Sequence, residues 1–221
     1  MGKILKIKGS IIILALCLCT IAYSAVVHLR VFTFDEDESL DKWNKMVLNG
    51  EVEYTLIKQG EEGYVRALSE NACSALYYRV GFKLKKYPLL RWKWKVLQFP
   101  DTSIAETEEE RDDYAARVYV IFPFLSFSTS KFLEYVWAED AAVGEIIDSP
   151  FGDNVKMVVA RSGKVPEAEW VDEVRNVYED YIEAFGEEPR MKAGAIAIMC
   201  DADGTKTSAE SFFDNIAIES R

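Results

Sequence analysis

An antiparallel β-sandwich carrying one amphipathic helix is the fold class this sequence predicts, and three observations predict it. Apolar residues recur mostly with period two, in short runs. Clusters of turn-forming residues fill the gaps between those runs, and a helical period surfaces only once. The third is capacity: 221 residues, 49% hydrophobic and 13% aromatic, suffice for one sizeable core in a single all-β domain. That composition excludes a chain disordered throughout.

The first 24 residues stand apart from this pattern. Lys3, Lys6 and Lys8, with no acidic residue among them, precede the apolar run Ile11–Ala22. Ala22-Tyr23-Ser24 then sets small residues at the −3 and −1 positions before Ala25, the arrangement of a cleaved signal peptide. The run is shorter than the roughly 20 apolar residues of a membrane anchor. Leu16 and Leu18 stand before Cys17 and Cys19, where a lipidation site needs a small residue. The chain therefore reads as signal peptide 1–24 and one domain, 25–221, periplasmic or secreted, touching membrane only during export.

Charge and cysteine content narrow the partners. The full chain carries a formal charge of −11 and a pI of about 4.8. Without Lys3, Lys6 and Lys8, 23 basic residues face 37 acidic ones, a net charge of −14. A phosphate-backbone binder needs a basic footprint, so nucleic acid is excluded as a partner. Of four cysteines Cys73 and Cys200 remain, to be joined as a disulfide in an oxidising compartment or kept as two buried thiols.

The mature chain resolves into Val31–Phe34, Glu51–Lys58, Tyr64–Ser69, Ser74–Val80, Leu89–Leu97, Ala115–Phe122, Phe132–Trp137, Val155–Arg161, Lys192–Cys200 and Phe212–Ile218 as strands. Asn49-Gly50, Gly60-Glu61-Glu62-Gly63, Phe99-Pro100-Asp101 and Asp203-Gly204 supply the turns. Thr102–Asp113 is a strongly charged connection, an exposed loop or one helical turn. Trp170, Val174, Val177 and Tyr181 fall at i, i+4, i+7 and i+11, which predicts a helix over Trp170–Phe185. Gly186 and Pro189 stop it.

Two strands carry the candidate binding residues. In RWKWKV, Trp92, Trp94 and Val96 share one face while Arg91, Lys93 and Lys95 share the other. The indoles belong in the core; the cations either line a ligand face or guard a strand edge against aggregation. In RDDYAARVYVIF, Tyr114, Ala116, Val118, Val120 and Phe122 form the more core-like face. Arg117 and Tyr119 then share the open face, with Asp112 and Asp113 at its rim. Planar donors and acceptors of this kind suit neighbouring hydroxyls, so Arg91, Lys93, Asp112, Asp113, Arg117 and Tyr119 are the expected ligand residues. Arg117 should be held by Asp113 or by an acid of the adjoining strand, ready to meet hydroxyls or a uronic-acid carboxylate. Tyr135 and Trp137 in LEYVW are core or a stacking platform, with core preferred.

Most catalytic chemistries lack their residues. The single histidine, His28, sits beside the expected cleavage site, which removes Ser-His, Cys-His and His-metal arrangements. No glycine loop for phosphate occurs. Asp112 and Asp113 are adjacent and point to opposite sides, a poor pair for glycoside hydrolysis. Gly144-Glu145-Ile146-Ile147-Asp148 carries one residue too many for a Glu-x-Asp strand. Cys200-Asp201-Ala202-Asp203-Gly204 is better read as a hairpin turn than as a calcium loop. No catalytic residue is assigned.

Phe34-Asp35-Glu36 near the start of the domain and FFDNIAI at its end resemble the terminal strands of galactose-binding-like jelly rolls and related carbohydrate-binding modules. That resemblance implies a jelly-roll-like sandwich and a structural calcium held by Asp35 and Asp214. RWKWKV, DDYAARVYVIF, LEYVW, RNVYEDYIEAFGEEP and IAIMCDADGT, in this order, resemble a secreted bacterial family known as domain of unknown function 3047, from Trp43 to the C-terminus. It implies export and a sandwich without prescribing an activity. Where relatives carry Thr-Asp-Thr-Asp-Asn, this chain has Cys200-Asp201-Ala202-Asp203-Gly204, so no side chain can act at 204. Three functions follow as expectations. The first is noncatalytic binding of a glycan or other envelope component. The second is a glycan hydrolase or lyase whose acids, such as Asp112 and Glu179, meet in space, and the third is an envelope scaffold without a small ligand.

Overall fold

The computed structural model describes residues 26–164 and 169–221; the expected signal peptide and Ala25 lie outside them. Two sheets stack face to face. The first contains β1 (His28–Phe32), β3 (Glu53–Gln59), β4 (Glu62–Glu70), β6 (Leu89–Gln98), β11 (Val171–Asn176) and β13 (Ser208–Glu219). Its order is β11-β6-β13-β4-β3, with β1 also paired to β13. The second contains β2 (Asn44–Asn49), β5 (Cys73–Phe82), β7 (Arg117–Phe122), β8 (Lys131–Ala138), β9 (Ile146–Asp148), β10 (Val155–Ser162) and β12 (Ala193–Asp201). Its order is β2-β5-β12-β7-β8-β10-β9. One ladder departs from the antiparallel expectation: β10 runs parallel to β8.

The period-two pattern builds the core. Trp92 and Trp94 of β6 are fully buried and meet the opposite sheet, Trp92 stacking 5.2 Å from Tyr135 and Trp94 5.5 Å from Trp137. Val118 and Val120 of β7 and Phe213 of β13 fill the same layer. Tyr135 and Trp137 are thus core, as preferred from the sequence. Burying rings of this size supplies much of the apolar driving force that holds the two layers together.

The expected helix over Trp170–Phe185 needs correction. Residues 171–176 form β11, and only α2 (Val177–Phe185) is helical. In β11 Glu173 turns inward opposite Trp92, whereas Val174 is 44% exposed. The free edge of β6 offers a full ladder of partners, and those hydrogen bonds outweigh a helical stripe that only Val177 and Tyr181 bury. Asn176 caps α2 by accepting from the Glu179 N–H, and Gly186, at φ 68°, ends it in the left-handed conformation. Asp180 of α2 accepts from the Tyr135 hydroxyl at 2.8 Å and from Arg175, fastening the helix across the open side of the sandwich.

Thr102–Asp113 contains the one-turn helix α1 (Glu108–Arg111), closed by a Thr107–Glu110 capping box. Cys73 and Cys200 are both free and buried. Cys73 stands opposite Asp201 and Cys200 opposite Ser74, so the thiols project from opposite faces of one sheet, and the alternation itself forbids a disulfide.

Candidate functional site

The outer face of the second sheet is hollowed into a groove of about 1150 Å³. Ala75 and Tyr77 of β5, Ala197 and Met199 of β12, Tyr119 and Ile121 of β7 and Phe132 of β8 lie along it. The small residues of β5 and β12 keep the middle low, and the larger side chains raise the walls. Leu48 and Phe151, 56% and 70% exposed, stand at the rim. The Tyr119 hydroxyl is spent on Met199 Sδ at 3.2 Å, so the floor offers mainly apolar contact.

One end of the groove is charged, and Arg117 organises it. Alternation along β7 sends Val118 and Val120 into the core and Arg117 outward, between β12 and β8. Nε and Nη2 donate to the two Asp201 oxygens at 3.0 and 2.7 Å. Nη1 donates to Glu134 Oε2 at 3.0 Å and to Asp112 Oδ1 at 3.5 Å, and Nη2 also to the Asp112 carbonyl oxygen. All five guanidinium N–H groups therefore have an acceptor. The Tyr114 ring lies 4.7 Å from its carbon.

Burial sets the electrostatics of this end. It pushes Glu134 up to about 7 and Asp201 up to about 7, against the lowering pull of Arg117. Asp112 is raised for the same reason. Three buried carboxyls around one guanidinium cannot all ionise without unbalanced charge in a poorly solvated place.

Several sequence expectations meet this geometry. Arg117 is held by acids of both adjoining strands, Asp201 and Glu134, and not by Asp113. Asp113 instead accepts from the Gly204 and Thr205 N–H groups at 3.2 and 2.7 Å and from Thr205 Oγ1 at 2.7 Å. Since Arg117 has no N–H to spare, it cannot grip a hydroxyl or a uronate. Asp112, Asp113, Arg117 and Tyr119 do gather at the groove, but Arg91 and Lys93 do not join them. With Trp92 and Trp94 pointing inward, both cations lie on the outer face of the first sheet, on the opposite side of the molecule. There Arg91 faces Glu219 and Lys93 stands opposite Asp214. Glu179 pairs with Arg221 and does not line the groove.

The expected calcium ligands are neighbours of a kind. Asp35 Oδ1 accepts from the Gly63 N–H at 2.9 Å. Asp214 is pushed up to about 6, chiefly by burial and further by the nearby charges of Asp35 and Glu62. Such all-oxygen surroundings fit a hard cation in kind. Among the described residues, however, the one set of three acidic or thiol donors within 4.8 Å of each other is Cys73, Asp201 and Asp203. Arg117 already occupies both oxygens of Asp201, which sets a guanidinium against any ion there.

Glu134 and Asp201 escaped the sequence reading, though both leave a signal. Phe132, Glu134 and Val136 share one face of β8, so a single glutamate sits in an otherwise apolar strand row. Asp201 closes the apolar run of β12. A carboxylate embedded in such a run needs a cation nearby, and Arg117 was the evident candidate.

Fold and groove together define a two-sheet β-sandwich with a solvent-open trough on one outer face. The chain belongs to the family described as protein of unknown function (DUF3047), whose model matches residues 41–217. No curated protein matches it. Among solved structures it is similar to a carbohydrate-binding module, TmCBM27, studied for mannan recognition, at 12% identity and a TM-score of 0.40, over 90% of this chain and 99% of that one. The family 30 carbohydrate-binding module of a cellulosomal cellulase of Clostridium thermocellum matches at 8% and 0.46, over 81% and 92% of the two chains. The xyloglucanase domain of NopAA, a type three effector from Sinorhizobium fredii, matches at 12% and 0.42, over 81% and 93%. Likenesses this distant assign nothing to the groove.

Proposed function

We propose that the protein is an exported glycan-binding sandwich and that the groove of the second sheet receives the chain without cleaving it. The observation that carries this reading is one juxtaposition: an apolar, aromatic floor running into buried carboxylates. A sugar is amphipathic in the same sense, with C–H faces that stack on rings such as Tyr77 and hydroxyls that donate to carboxylate oxygens. Calorimetric titration with soluble oligosaccharides tests it. Tyr77→Ala should weaken binding by roughly tenfold, about 1.4 kcal/mol, while Arg91→Ala and Lys93→Ala, on the far side, should leave it unchanged. If the far-side variants alone weaken binding, the groove is the wrong site.

A hydrolase on the same floor is the second reading, favoured by one observation. Glu134, at about 7, lies in the range of a general acid, and Asp112 shares Arg117 Nη1 with it. Reducing ends released from a bound oligosaccharide, and lost in Glu134→Gln, would establish it over simple binding.

A further inference from the structure

We infer that the glycan taken by this groove bears a protonated amine, as a glucosamine residue does, and that the ammonium seats between Asp112 and Glu134. The inference rests on the glycan-binding reading and names its substrate class.

Around Arg117 the charged end offers acceptors and withholds donors. Arg117 is saturated, and the Tyr119 hydroxyl is committed to Met199. Asp112 and Glu134 each give one oxygen to Arg117 Nη1. Among the described residues, no hydrogen bond reaches the other oxygen of either, Oδ2 of Asp112 or Oε1 of Glu134. Both side chains are only 5% exposed, and both line the groove. Two carboxylates with unfilled lone pairs, nearly dry and directed at a cavity, call for a donor that also brings charge.

Charge balance selects the ammonium over a hydroxyl. Asp112, Glu134 and Asp201 surround a single guanidinium, and Asp113 and Asp203 stand at the same end. Burial holds Glu134 and Asp201 partly protonated near neutrality, a sign that the site lacks a second cation. A uronate seated there would add a fourth negative charge beside a guanidinium with no N–H to spare. The groove's other cations, Arg79 and Lys206, are exposed side chains outside the Arg117 cluster. A compact metal ion fits poorly, because Asp112 and Glu134 do not converge with a third acidic or thiol donor. An ammonium carries three N–H donors on a sugar scaffold whose C–H face can rest on the apolar floor. It can therefore bridge two separated oxygens.

The test is titration of the intact mature protein at about pH 6.5, below the ordinary range of an amino group. Four-sugar oligomers of glucosamine, N-acetylglucosamine, glucose and a uronic acid are compared, with spermidine as a free polyamine. Glucosamine oligomer should bind at least roughly tenfold tighter than the glucose and N-acetylated oligomers. Glu134→Gln and Asp112→Asn, each checked for folding by near-UV circular dichroism, should erase that preference, leaving the glucosamine oligomer no tighter than the glucose oligomer. Equal affinities, or preference for the uronate, would overturn the amine and leave glycan binding standing. Spermidine binding as tightly as the glucosamine oligomer would overturn the sugar as the source of the charge. If no oligomer binds, glycan binding and the inference fall together.

Discussion

Arg117 draws two neighbouring strands and a loop onto one side chain, and its variants should behave accordingly. Arg117→Lys preserves charge but brings three donors from one point, so it cannot span Asp201, Glu134 and Asp112 together. Both Arg117→Lys and Arg117→Ala should cost about 3 kcal/mol or more in urea melts, because each strands buried carboxylates. A wild-type melt for Arg117→Lys would show the fork to be dispensable. The same cluster sets a pH dependence. Glu134 and Asp201 titrate near 7 when folded but near the ordinary 4.5 and 3.8 when unfolded. Between those values the native state holds protons that the unfolded chain has released, so stability falls as pH rises through the window. Tm should be higher at about pH 5 than at about pH 8, and Glu134→Gln should flatten the slope. A wild-type Tm that rises steadily with pH would contradict the raised values.

At the scale of elements, Asp113 explains how the charged connection is fixed. It joins the end of α1 to the loop between β12 and β13 by accepting three hydrogen bonds from Gly204 and Thr205. Asp113→Ala should destabilise by about 3 kcal/mol, through buried N–H groups left without acceptors, and should loosen the acidic end of the groove. Urea melts measure the first effect and hydrogen exchange at 203–206 the second. Gly204 belongs to the same joint, since a Cβ there would come 2.8 Å from the Glu110 carbonyl oxygen. This is a physical reason why Gly204→Asn should shift α1. The sequence made most strands legible because their two faces differ, as in RWKWKV. It hid β2, β9 and β11. β2 is exposed along its whole length and β9 is three residues long, so neither shows a contrasted face. In β11 the spacing of Trp170 and Val174 mimics a helix while pairing with β6 decides otherwise. The site was legible in part for the same reason. Alternation brought Arg117 and Tyr119 to one face with the two aspartates at its rim, yet no pattern within a strand says which sheet its outer face belongs to. Arg91 and Lys93 were therefore grouped with residues across the molecule. If Asp35 and Asp214, which join the start of the domain to β13, share an ion, calcium should raise Tm relative to chelator, and Asp214→Asn should abolish the rise.

For the whole molecule, export and thiol chemistry constrain each other. Basic residues, a short apolar run and Ala22-Tyr23-Ser24 propose cleavage before Ala25. Cleavage would remove Cys17 and Cys19 and deliver a protein with two thiols to an oxidising compartment. Such thiols survive only if they are unreactive, and both have the surroundings for that. Cys200 is fully buried in the core between the sheets, and Cys73 is buried among Tyr119, Phe132, Ala197 and Met199 on the other face. Burial, aided by Asp201, pushes both far above the ordinary thiol range, so almost no thiolate forms at neutral pH. Protein from the native host should therefore have an intact mass lacking residues 1–24. It should take up two alkylating groups after denaturation without reductant and essentially none while folded. Retained Met1 would refute cleavage. A mass two hydrogens light, with no alkylation after denaturation, would mean a bridge between Cys73 and Cys200, and hence a sheet arranged differently from the β5–β12 register that sends them to opposite faces.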